Sequence, residues 1–250
     1  MSDPRFDLAL RMGDNALILA QRLGAWCGHA PALEEDIAMA NVALDLLGQA
    51  KLWLAYAGEI EGRGRSADDL AFLRDARAFR NALLVERPNG DYAVTLTRQF
   101  LFDAFHLPML EALTASAEPR IAEIAAKSVK EAAYHLERST DLVIRLGDGG
   151  EESRARMQAA LDQLWPFAGE LTHADETDFA IADAGIGPRL DAIAARWSAH
   201  VVPALREATL TPPVAANARK GGKTGLHSEE FGFLLAEMQF LQRAYPGASW

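Results

Sequence analysis

Glu131-Ala-Ala-Tyr134-His135 lies in the middle of a long helical pattern and nearly matches a pair of metal ligands. A two-metal site in a four-helix bundle takes a Glu and a His at spacing i, i+3 from each of two helices. Each of the other two helices adds a single carboxylate. Here the His stands at i+4, and Tyr134 occupies the place where the His is required. The stretch is either a coincidence in an ordinary helix or the trace of a bundle whose metal site has been lost.

Composition limits the class of protein. A chain of 250 residues, 50% hydrophobic and 24% charged, is long enough to bury one sizeable core, so one compact domain is expected. The net charge of -10 provides no basic face for phosphate backbones. We therefore expect no nucleic-acid partner.

Two features predict a cytoplasmic protein without a membrane span. Cys27 is the only cysteine and cannot form an internal disulfide, and the start Met1-Ser-Asp-Pro4 has neither region of a signal peptide. The most apolar stretch, residues 37–57, approaches the length of a membrane span. It carries polar side chains that would be costly in lipid, namely Asn41, Asp45, Gln49 and Lys51.

Apolar residues recur at spacings of three and four along most of the chain, and no stretch alternates with the period of a strand. The pattern predicts an all-α protein. Long helices are expected at about residues 5–27, 33–60, 92–115 and 119–147, with Pro108 as a kink. Shorter ones are expected at about 68–75, 76–84, 151–166, 174–184, 189–207 and 228–245.

The four long helices, paired across short connections, predict an antiparallel four-helix bundle. Arg87-Pro-Asn-Gly90 is a strong turn signal between the two helical hairpins. We expect a core bundle at about residues 5–147 and accessory helices at about 151–245, together forming a single domain at 1–250. Residues 211–225 are rich in Pro, Gly and Lys and are expected to form a long exposed loop.

The second and third long helices each offer one carboxylate to a metal site. Asp45 lies in an apolar helix, where a buried unpaired charge is strongly unfavourable, so it requires a partner. The position for a following His is Gly48, which offers no ligand. On the third helix, Asp103 and His106 lie one turn apart on the same stripe, and Asp103 is the candidate carboxylate.

The fourth and first helices leave the ligand set incomplete. Lys127, Glu131 and Tyr134 share a stripe, and His135 is displaced from Tyr134 by about 100°. A Lys beside Glu131 would supply the positive charge that a metal normally provides. The central polar residue of the first helix is Gln21, and a neutral amide is a poor iron ligand.

Two interpretations of these polar residues remain open. The first is a buried polar network without metal, with the expected members Asp45, Asp103, His106, Lys127 and Glu131. The second is an autonomous di-iron oxidase or iron-binding protein of the ferritin-like kind, with metal bound by Asp45, Asp103, Glu131 and His135. Because no His is correctly spaced, we favour the first interpretation and expect no catalytic residue, metal ligand or cofactor in this chain.

The glycine-rich stretch Gly221-Gly-Lys-Thr-Gly225 does not match a phosphate-binding loop, because its spacing differs and no strand precedes it. Three cations in or beside this stretch are weak candidates for contact with a phosphate group or an acidic partner surface. They are Arg219, Lys220 and Lys223.

Seven stretches spread along the chain carry a resemblance to a known family. They are Arg11-Met-Gly-Asp-Asn15, Arg22-Leu-Gly-Ala-Trp-Cys-Gly-His-Ala-Pro31, Asn41-Val-Ala-Leu-Asp-Leu-Leu-Gly-Gln-Ala50, Leu84-Val-Glu-Arg-Pro-Asn-Gly90, Lys130-Glu-Ala-Ala-Tyr-His135, Lys223-Thr-Gly-Leu-His227 and Leu235-Ala-Glu-Met-Gln239. In these stretches the chain resembles the C subunits of the bacterial ring 1,2-phenylacetyl-coenzyme A epoxidases. The resemblance implies a ferritin-like helical bundle and a structural, non-catalytic role in an oxygenase of aerobic phenylacetate breakdown.

The resemblance also implies where the chemistry takes place. A related catalytic A subunit would hold the di-iron centre and the acyl-coenzyme A substrate, and a reductase subunit would supply electrons through flavin and iron-sulfur groups. The expected partners are the A subunit and other subunits of the complex, and this chain could also self-associate. Arg219, Lys220 and Lys223 are then candidates for contact with coenzyme A phosphates at the interface. Gly48 and Tyr134 stand where the two His ligands would be required.

A scaffold subunit needs an apolar interface with its partner. Five aromatic side chains are candidates either for anchors at such an interface or for ordinary core residues. They are Trp53, Tyr56, Phe72, Phe79 and Trp197. The sequence favours neither role.

Overall fold

The computed structural model of the chain describes residues 3–214 and 218–248. Within these ranges the regular structure consists of α-helices and short 3-10 turns, and no residue belongs to a strand. The all-α class predicted from the periodicity is confirmed, and the helical content is consistent with a ferritin-like bundle fold. None of the helices in these ranges is both long enough and apolar enough to cross a membrane.

The helix bounds follow the sequence signals closely. In chain order the helices are α1 (Pro4–Gly24), α2 (Leu33–Glu61), α3 (Ala67–Phe72), α4 (Tyr92–Leu113), α5 (Pro119–Gly147), α6 (Glu151–Thr172), α7 (Glu176–Asp183), α8 (Leu190–Glu207) and α9 (Glu229–Ala244), with short 3-10 turns at Ala76–Ala78 and Gly222–Thr224. Asp3 caps α1 by accepting a hydrogen bond from the backbone of Arg5. Gly62 ends α2 in the left-handed conformation that favours glycine.

Three local predictions are wrong. Residues 76–84 are not a helix but a short turn followed by irregular backbone, because side chains of α1 take up the backbone N–H groups of Arg80 and Ala82. α6 does not end at Pro166, since the buried side chains of the following turn hold the helix to Thr172. The loop predicted at 211–225 is not exposed throughout, because Gly222 is buried; its residues 215–217 lie outside the described part of the chain.

The chain divides into two compact units. The first comprises the described residues up to Pro88 and from Lys220 onward, and the second runs from Asn89 to Arg219. α9, predicted as an accessory helix of the bundle, therefore groups with α1, α2 and α3. The single domain expected at 1–250 stays a prediction.

In the first unit, α1 packs along α2, α3 packs on α2, and α9 packs on α3. The core between them contains Leu46, Trp53 and Leu54, all fully or almost fully buried. A glycine permits the close approach of α1 to α2. A Cβ at Gly13 would lie 2.9 Å from the side chain of Leu54.

In the second unit, α4 is the central helix and contacts α5, α6 and α8. Nearly every side chain of α4 is buried, including the polar residues Thr97, Gln99 and Asp103. α5 is different, because one stripe of its surface is buried and the rest is polar. The contact between α4 and α5 therefore places polar groups inside the core of this unit.

The aromatic side chains proposed as interface anchors are mainly core residues. Trp53, Tyr56 and Phe79 are buried within the first unit, which excludes them as surface anchors. Phe72 and Trp197 are only half-buried. The indole of Trp197 donates a hydrogen bond to the carbonyl of Leu101 at 3.0 Å, which fixes it within the second unit.

Candidate functional site

The Glu131 to His135 stretch presents a different side chain to the interior than its spacing suggested. The buried residues of α5 form one stripe, namely Ile121, Ile124, Ala125, Ser128, Ala132, His135, Leu136, Ser139, Val143 and Gly147. His135 belongs to this stripe, and Lys127 and Tyr134 lie more than ~100° from its centre. His135 is buried, whereas Tyr134 is 51% exposed.

This geometry corrects two predictions on α5. Lys127 is exposed and so is not a member of a buried network, and Glu131 is half-buried at the edge of the stripe. The physical reason is the helix period, since a stripe drawn through 127, 131 and 134 faces away from the buried one. The position of Tyr134 is therefore on the surface and would not direct a ligand into the core.

A similar correction applies to α2. Asp45 is half-buried and Gly48 is exposed, with no atom within 4 Å of the position where a Cβ would stand. The buried stripe of α2 instead includes Leu46, Gln49 and Trp53. Gln49 is thus the polar residue that α2 directs inward, and the predicted ligand pair of this helix does not face the core of the first unit.

A buried polar cluster does form between α4 and α5 in the second unit. The Asp103 carboxylate is 1% exposed. Gln99 Nε2 donates to Asp103 Oδ1 at 2.7 Å, and Ser139 Oγ donates to Asp103 Oδ2 at 2.9 Å. Both carboxylate oxygens therefore accept a hydrogen bond from a neutral donor. Asp103 and His106 are both buried. Gln99 lies on the same stripe, one turn before Asp103, and Ser139 was not foreseen as a partner of this carboxylate.

Burial raises the pKa of the Asp103 carboxyl from its ordinary value of 3.8 to about 6. The nearby His135, the hydrogen bonds from Ser139 and Gln99, and the charge of Arg138 act in the opposite direction. Removal from water is the larger effect. The carboxyl group therefore titrates nearer to neutral pH than a surface Asp.

His106 adds an imidazole to the same core. Burial, with a smaller contribution from the charge of His135, lowers the pKa of His106 to about 3, so its ring is neutral at physiological pH. Its ring centroid lies 4.9 Å from that of Phe102. Within the described part of the chain, His106 Nδ1 is buried and has no hydrogen-bond partner.

These residues do not fit the two-metal centre of a ferritin-like bundle. Such a centre needs four carboxylates and two imidazoles directed at one point. The described ranges contain no group of three or more His, Cys, Asp or Glu side chains placed to hold a metal ion. The oxygens of Asp103 are engaged by an amide and a hydroxyl, and the positions 48 and 134 are on the surface.

The first unit contains a buried ion pair that was not predicted from the sequence. Asp14 and Arg74 form an ion pair with almost no solvent exposure, and Arg74 Nη1 lies 3.0 Å from Asp14 Oδ2. The same carboxylate accepts from the backbone of Arg80 at 2.8 Å. Asn15 accepts from the backbone of Ala82 at 2.8 Å, so α1 holds the segment after α3 in place.

Glu86 is the centre of a related network. Its buried carboxylate accepts from Asn81 Nδ2 at 3.0 Å and from the backbone of Ser228 at 2.7 Å, and it lies 2.7 Å from His227 Nδ1. His227 Nε2 lies 3.2 Å from the carbonyl oxygen of Phe79. Both contacts of this imidazole are therefore made to oxygen atoms. A hint was present in the sequence, because Asp14, Glu86 and His227 each belong to a stretch that carried the family resemblance.

The three predicted phosphate contacts lie on either side of the boundary between the two units. Arg219 belongs to the second unit, where its guanidinium lies 5.3 Å from the ring centroid of Phe167 and its backbone donates to Pro166. Lys220 and Lys223 belong to the first unit. Lys220 is exposed, and Lys223 is half-buried in the turn Gly222–Thr224.

Two helices of the first unit expose apolar side chains to solvent. On α2 these are Leu33, Ile37 and Leu44, and on α9 they are Phe233, Phe240 and Leu241, with Phe233 72% exposed and Leu44 65%. A groove of about 610 Å³ runs between α1, α2 and α9. Its walls include Ala20, Gly24, Ala43, Leu44, Leu47 and Leu234.

Comparison with known proteins agrees with the resemblance predicted from the seven stretches. Residues 1–250 match the family described as phenylacetic acid catabolic protein. The chain is 51% identical over 241 residues to the C subunit of 1,2-phenylacetyl-CoA epoxidase from Escherichia coli (strain K12), and the alignment covers 96% of this chain and 97% of that relative. The predicted resemblance is confirmed, and the chain belongs to the phenylacetic acid catabolic protein family.

Proposed function

We propose that this chain is a non-catalytic structural subunit of a 1,2-phenylacetyl-CoA epoxidase, and that it binds and supports the catalytic A subunit in the cytoplasm. The Escherichia coli relative aligns over almost its whole length, which supports this choice of enzyme. The A subunit would hold the di-iron centre, and a reductase subunit would supply electrons through flavin and iron-sulfur groups. This chain would contribute no ligand to the metal.

The observation that carries the proposal is the state of the buried carboxylate between α4 and α5. Asp103 accepts hydrogen bonds on both oxygens from neutral side chains, and burial raises its pKa toward neutrality. A ligand carboxylate in an active di-iron bundle is instead surrounded by further carboxylates and imidazoles that share the metal charge. Here a polar network takes that place in the core, which fits a structural role.

The apolar faces of α2 and α9 supply the surface that a structural subunit needs. Leu44 lines the groove between the two helices, and Phe240 is exposed on α9 in the same unit. Phe240 lines a separate groove with Ala76 and Leu235. Exposed apolar side chains of this kind are typical of protein interfaces. Because a subunit of a multicomponent enzyme must meet at least one partner chain, we assign these faces to the A subunit.

Co-expression with the A subunit tests this assignment. We expect the wild-type pair to purify as one complex, with its mass measured by light scattering. The double variant Leu44→Glu/Phe240→Glu should weaken association by roughly 100-fold or more, because both charges would lose their solvent on binding. A matched control is Phe179→Glu/Val214→Glu, which makes the same charge change at exposed apolar positions of the second unit.

Each result has a distinct meaning. If the control weakens association as strongly as the test variant, the assignment of the interface to α2 and α9 is wrong. If the wild-type chain self-associates and does not bind the A subunit, the proposed partner is wrong. If the chain alone carries near-stoichiometric iron and oxidase activity, the structural role fails and the autonomous di-iron protein replaces it.

A further inference from the structure

The exposed apolar side chains of α2 and α9 lie among acidic residues. α2 contains six acidic residues and one lysine, and α9 contains three acidic residues and one arginine. Neither residues 33–50 nor residues 226–242 contain a lysine or an arginine. These two stretches carry the exposed apolar side chains, including Leu33, Ile37, Leu44, Phe233 and Phe240. The apolar face of the first unit is therefore bordered mainly by charge of one sign.

Two cations beside this face are held by other groups of the chain. Arg243 follows the second stretch, and its Nη2 lies 3.0 Å from Asp75 Oδ1. Arg22 lines the groove between α1, α2 and α9, and its Nε donates to the carbonyl oxygen of Glu86 at 3.1 Å. Both guanidinium groups thus already serve contacts within the first unit.

Three exposed glutamates form what we call the acidic rim, namely Glu34, Glu229 and Glu237. Glu34 and Glu229 belong to the first turns of α2 and α9, where the helix dipole favours a negative charge. Glu237 lines the groove together with Leu44 and Leu234. The acidic rim therefore lies beside apolar side chains that a partner would cover.

This arrangement favours one kind of partner over another. A carboxylate that loses water at the border of an apolar contact is favourable only when a cation lies opposite it. In a symmetric pair of copies of this chain, the same surface would lie on both sides, and the two acidic rims would face each other. Like charges placed in this way repel, so the same apolar face becomes unfavourable for self-association.

We propose that the acidic rim selects a partner whose apolar docking surface is bordered by lysine and arginine, and that it disfavours a second copy of this chain. The apolar face supplies affinity, and the rim supplies the choice of partner and a faster encounter. That the selected partner is the A subunit rests on the proposed function.

Association with the A subunit, measured by surface plasmon resonance over a range of ionic strength, tests this selection. We expect the wild-type affinity to fall as salt is added, mainly through a slower association rate. The variant Glu34→Gln/Glu237→Gln should lose about threefold in affinity for each charge, about tenfold in all, at low salt. At high salt it should bind as the wild type does, because the charges are then screened.

The matched control is Glu137→Gln/Glu151→Gln, which removes two exposed glutamates of the second unit and should bind as the wild type does. Glu151 stands in the first turn of its helix, as Glu34 does. A salt-independent affinity, or an equal loss in both double variants, would overturn the acidic-rim proposal while the complex itself upholds the proposed function. Failure of the wild type to bind the A subunit at any salt would overturn both.

Sedimentation of the chain alone tests the second part of the proposal. We expect no dimer that depends on the apolar face of α2 and α9. A wild-type dimer at low salt that Leu44→Glu/Phe240→Glu disrupts, and that Phe179→Glu/Val214→Glu leaves intact, would show that the acidic rim does not exclude a second copy. This result would contradict the proposal whether or not the A subunit also binds.

Discussion

Asp103 shows how a single buried carboxyl can be accommodated without metal. Its ordinary pKa of 3.8 is raised to about 6 because burial removes water, and two neutral donors recover part of that loss. Between these two pH values the folded chain binds more protons at this residue than the unfolded chain does. Stability contributed by Asp103 is therefore present at low pH and is lost as pH rises through about 6.

Asp103→Asn should remove this titration while keeping the size of the side chain. In the wild type, the titration of Asp103 lowers the free energy of unfolding by about 3 kcal/mol between acid and neutral pH, and the variant should lack this loss. Urea unfolding followed by circular dichroism at both ends of that range measures the difference. The control Asp141→Asn makes the same substitution at an exposed Asp of α5. An unchanged pH profile in Asp103→Asn would show that Asp103 does not titrate in this range.

The ion pair of Asp14 and Arg74 makes a different prediction at the same scale. Both side chains are almost completely buried, and the Arg74 guanidinium also stacks on Phe79 at 4.1 Å. Asp14→Asn would leave that guanidinium charged and without its counterion, which should lower the free energy of unfolding by about 3–5 kcal/mol. Urea denaturation measures this loss.

The same substitution in a surface pair provides the comparison. Asp141 lies 3.3 Å from Arg145, and both are well exposed. Asp141→Asn should change stability by less than about 1 kcal/mol. Equal effects of the two substitutions would mean that the buried pair contributes no more than a surface pair.

The sequence predicted polar residues in the core but not all of their partners. Asp103 and His106 were identified because they lie one turn apart on the same stripe of the third long helix, and the whole stripe is buried in α4. Lys127 was misplaced, since its stripe was chosen from the expected ligand spacing and not from the apolar positions of α5. Gln99 stands at i, i+4 from Asp103, a spacing that permits their hydrogen bond. Ser139 lies 36 positions away on another helix, so only the packing of α4 against α5 makes it a partner.

At the scale of elements, the glycine turn Gly222–Thr224 leaves no room for added volume at Gly222. A Cβ at Gly222 would overlap the backbone of Asn81, which belongs to a segment held by α1. Gly222→Ala should therefore destabilise the chain by about 1–3 kcal/mol. Thermal unfolding measures the loss, and hydrogen exchange should show it as faster exchange in residues 220–228.

Gly232 in α9 is the matched control for this substitution. Apart from its chain neighbours and the backbone of its own helix, no atom of the described residues lies within 4 Å of the position where its Cβ would stand. Gly232→Ala should raise stability by up to about 1 kcal/mol, because alanine is the better helix former. If both variants were destabilised, the loss would come from any added side chain in this part of the unit. The overlap with Asn81 would then not be its cause.

Most element bounds could be predicted from the sequence, because caps, glycines and apolar periods act locally. α5, for example, begins at Pro119 and ends at Gly147 as expected. The failure at residues 76–84 has a tertiary cause. Asp14 and Asn15 lie more than sixty positions away in the chain, yet they take the backbone donors that a helix would have used.

At the scale of the whole molecule, iron content tests the combined ligand set. We expect chain purified alone from iron-replete cells to contain far less than one iron per chain by elemental analysis. A more stringent test of iron binding uses the variant Gly48→His/Tyr134→His, which places imidazoles at the two positions where His ligands would be required. It should gain no iron, because both positions are exposed. The A subunit purified in the same way is the positive control, and near-stoichiometric iron in either form of this chain would contradict the structural role.

The sequence by itself determined the all-α class, the family and most of the helix bounds, because periodicity, capping residues and family-specific stretches are local properties of the chain. Only the tertiary structure decided which residue of the Glu131 to His135 stretch faces the core. It directs His135 inward and Tyr134 outward, because the buried stripe of α5 is set by its contact with neighbouring helices. It also joined Asp14 to Arg74 and Glu86 to His227, since a buried charge is stable only where the fold brings a partner to it.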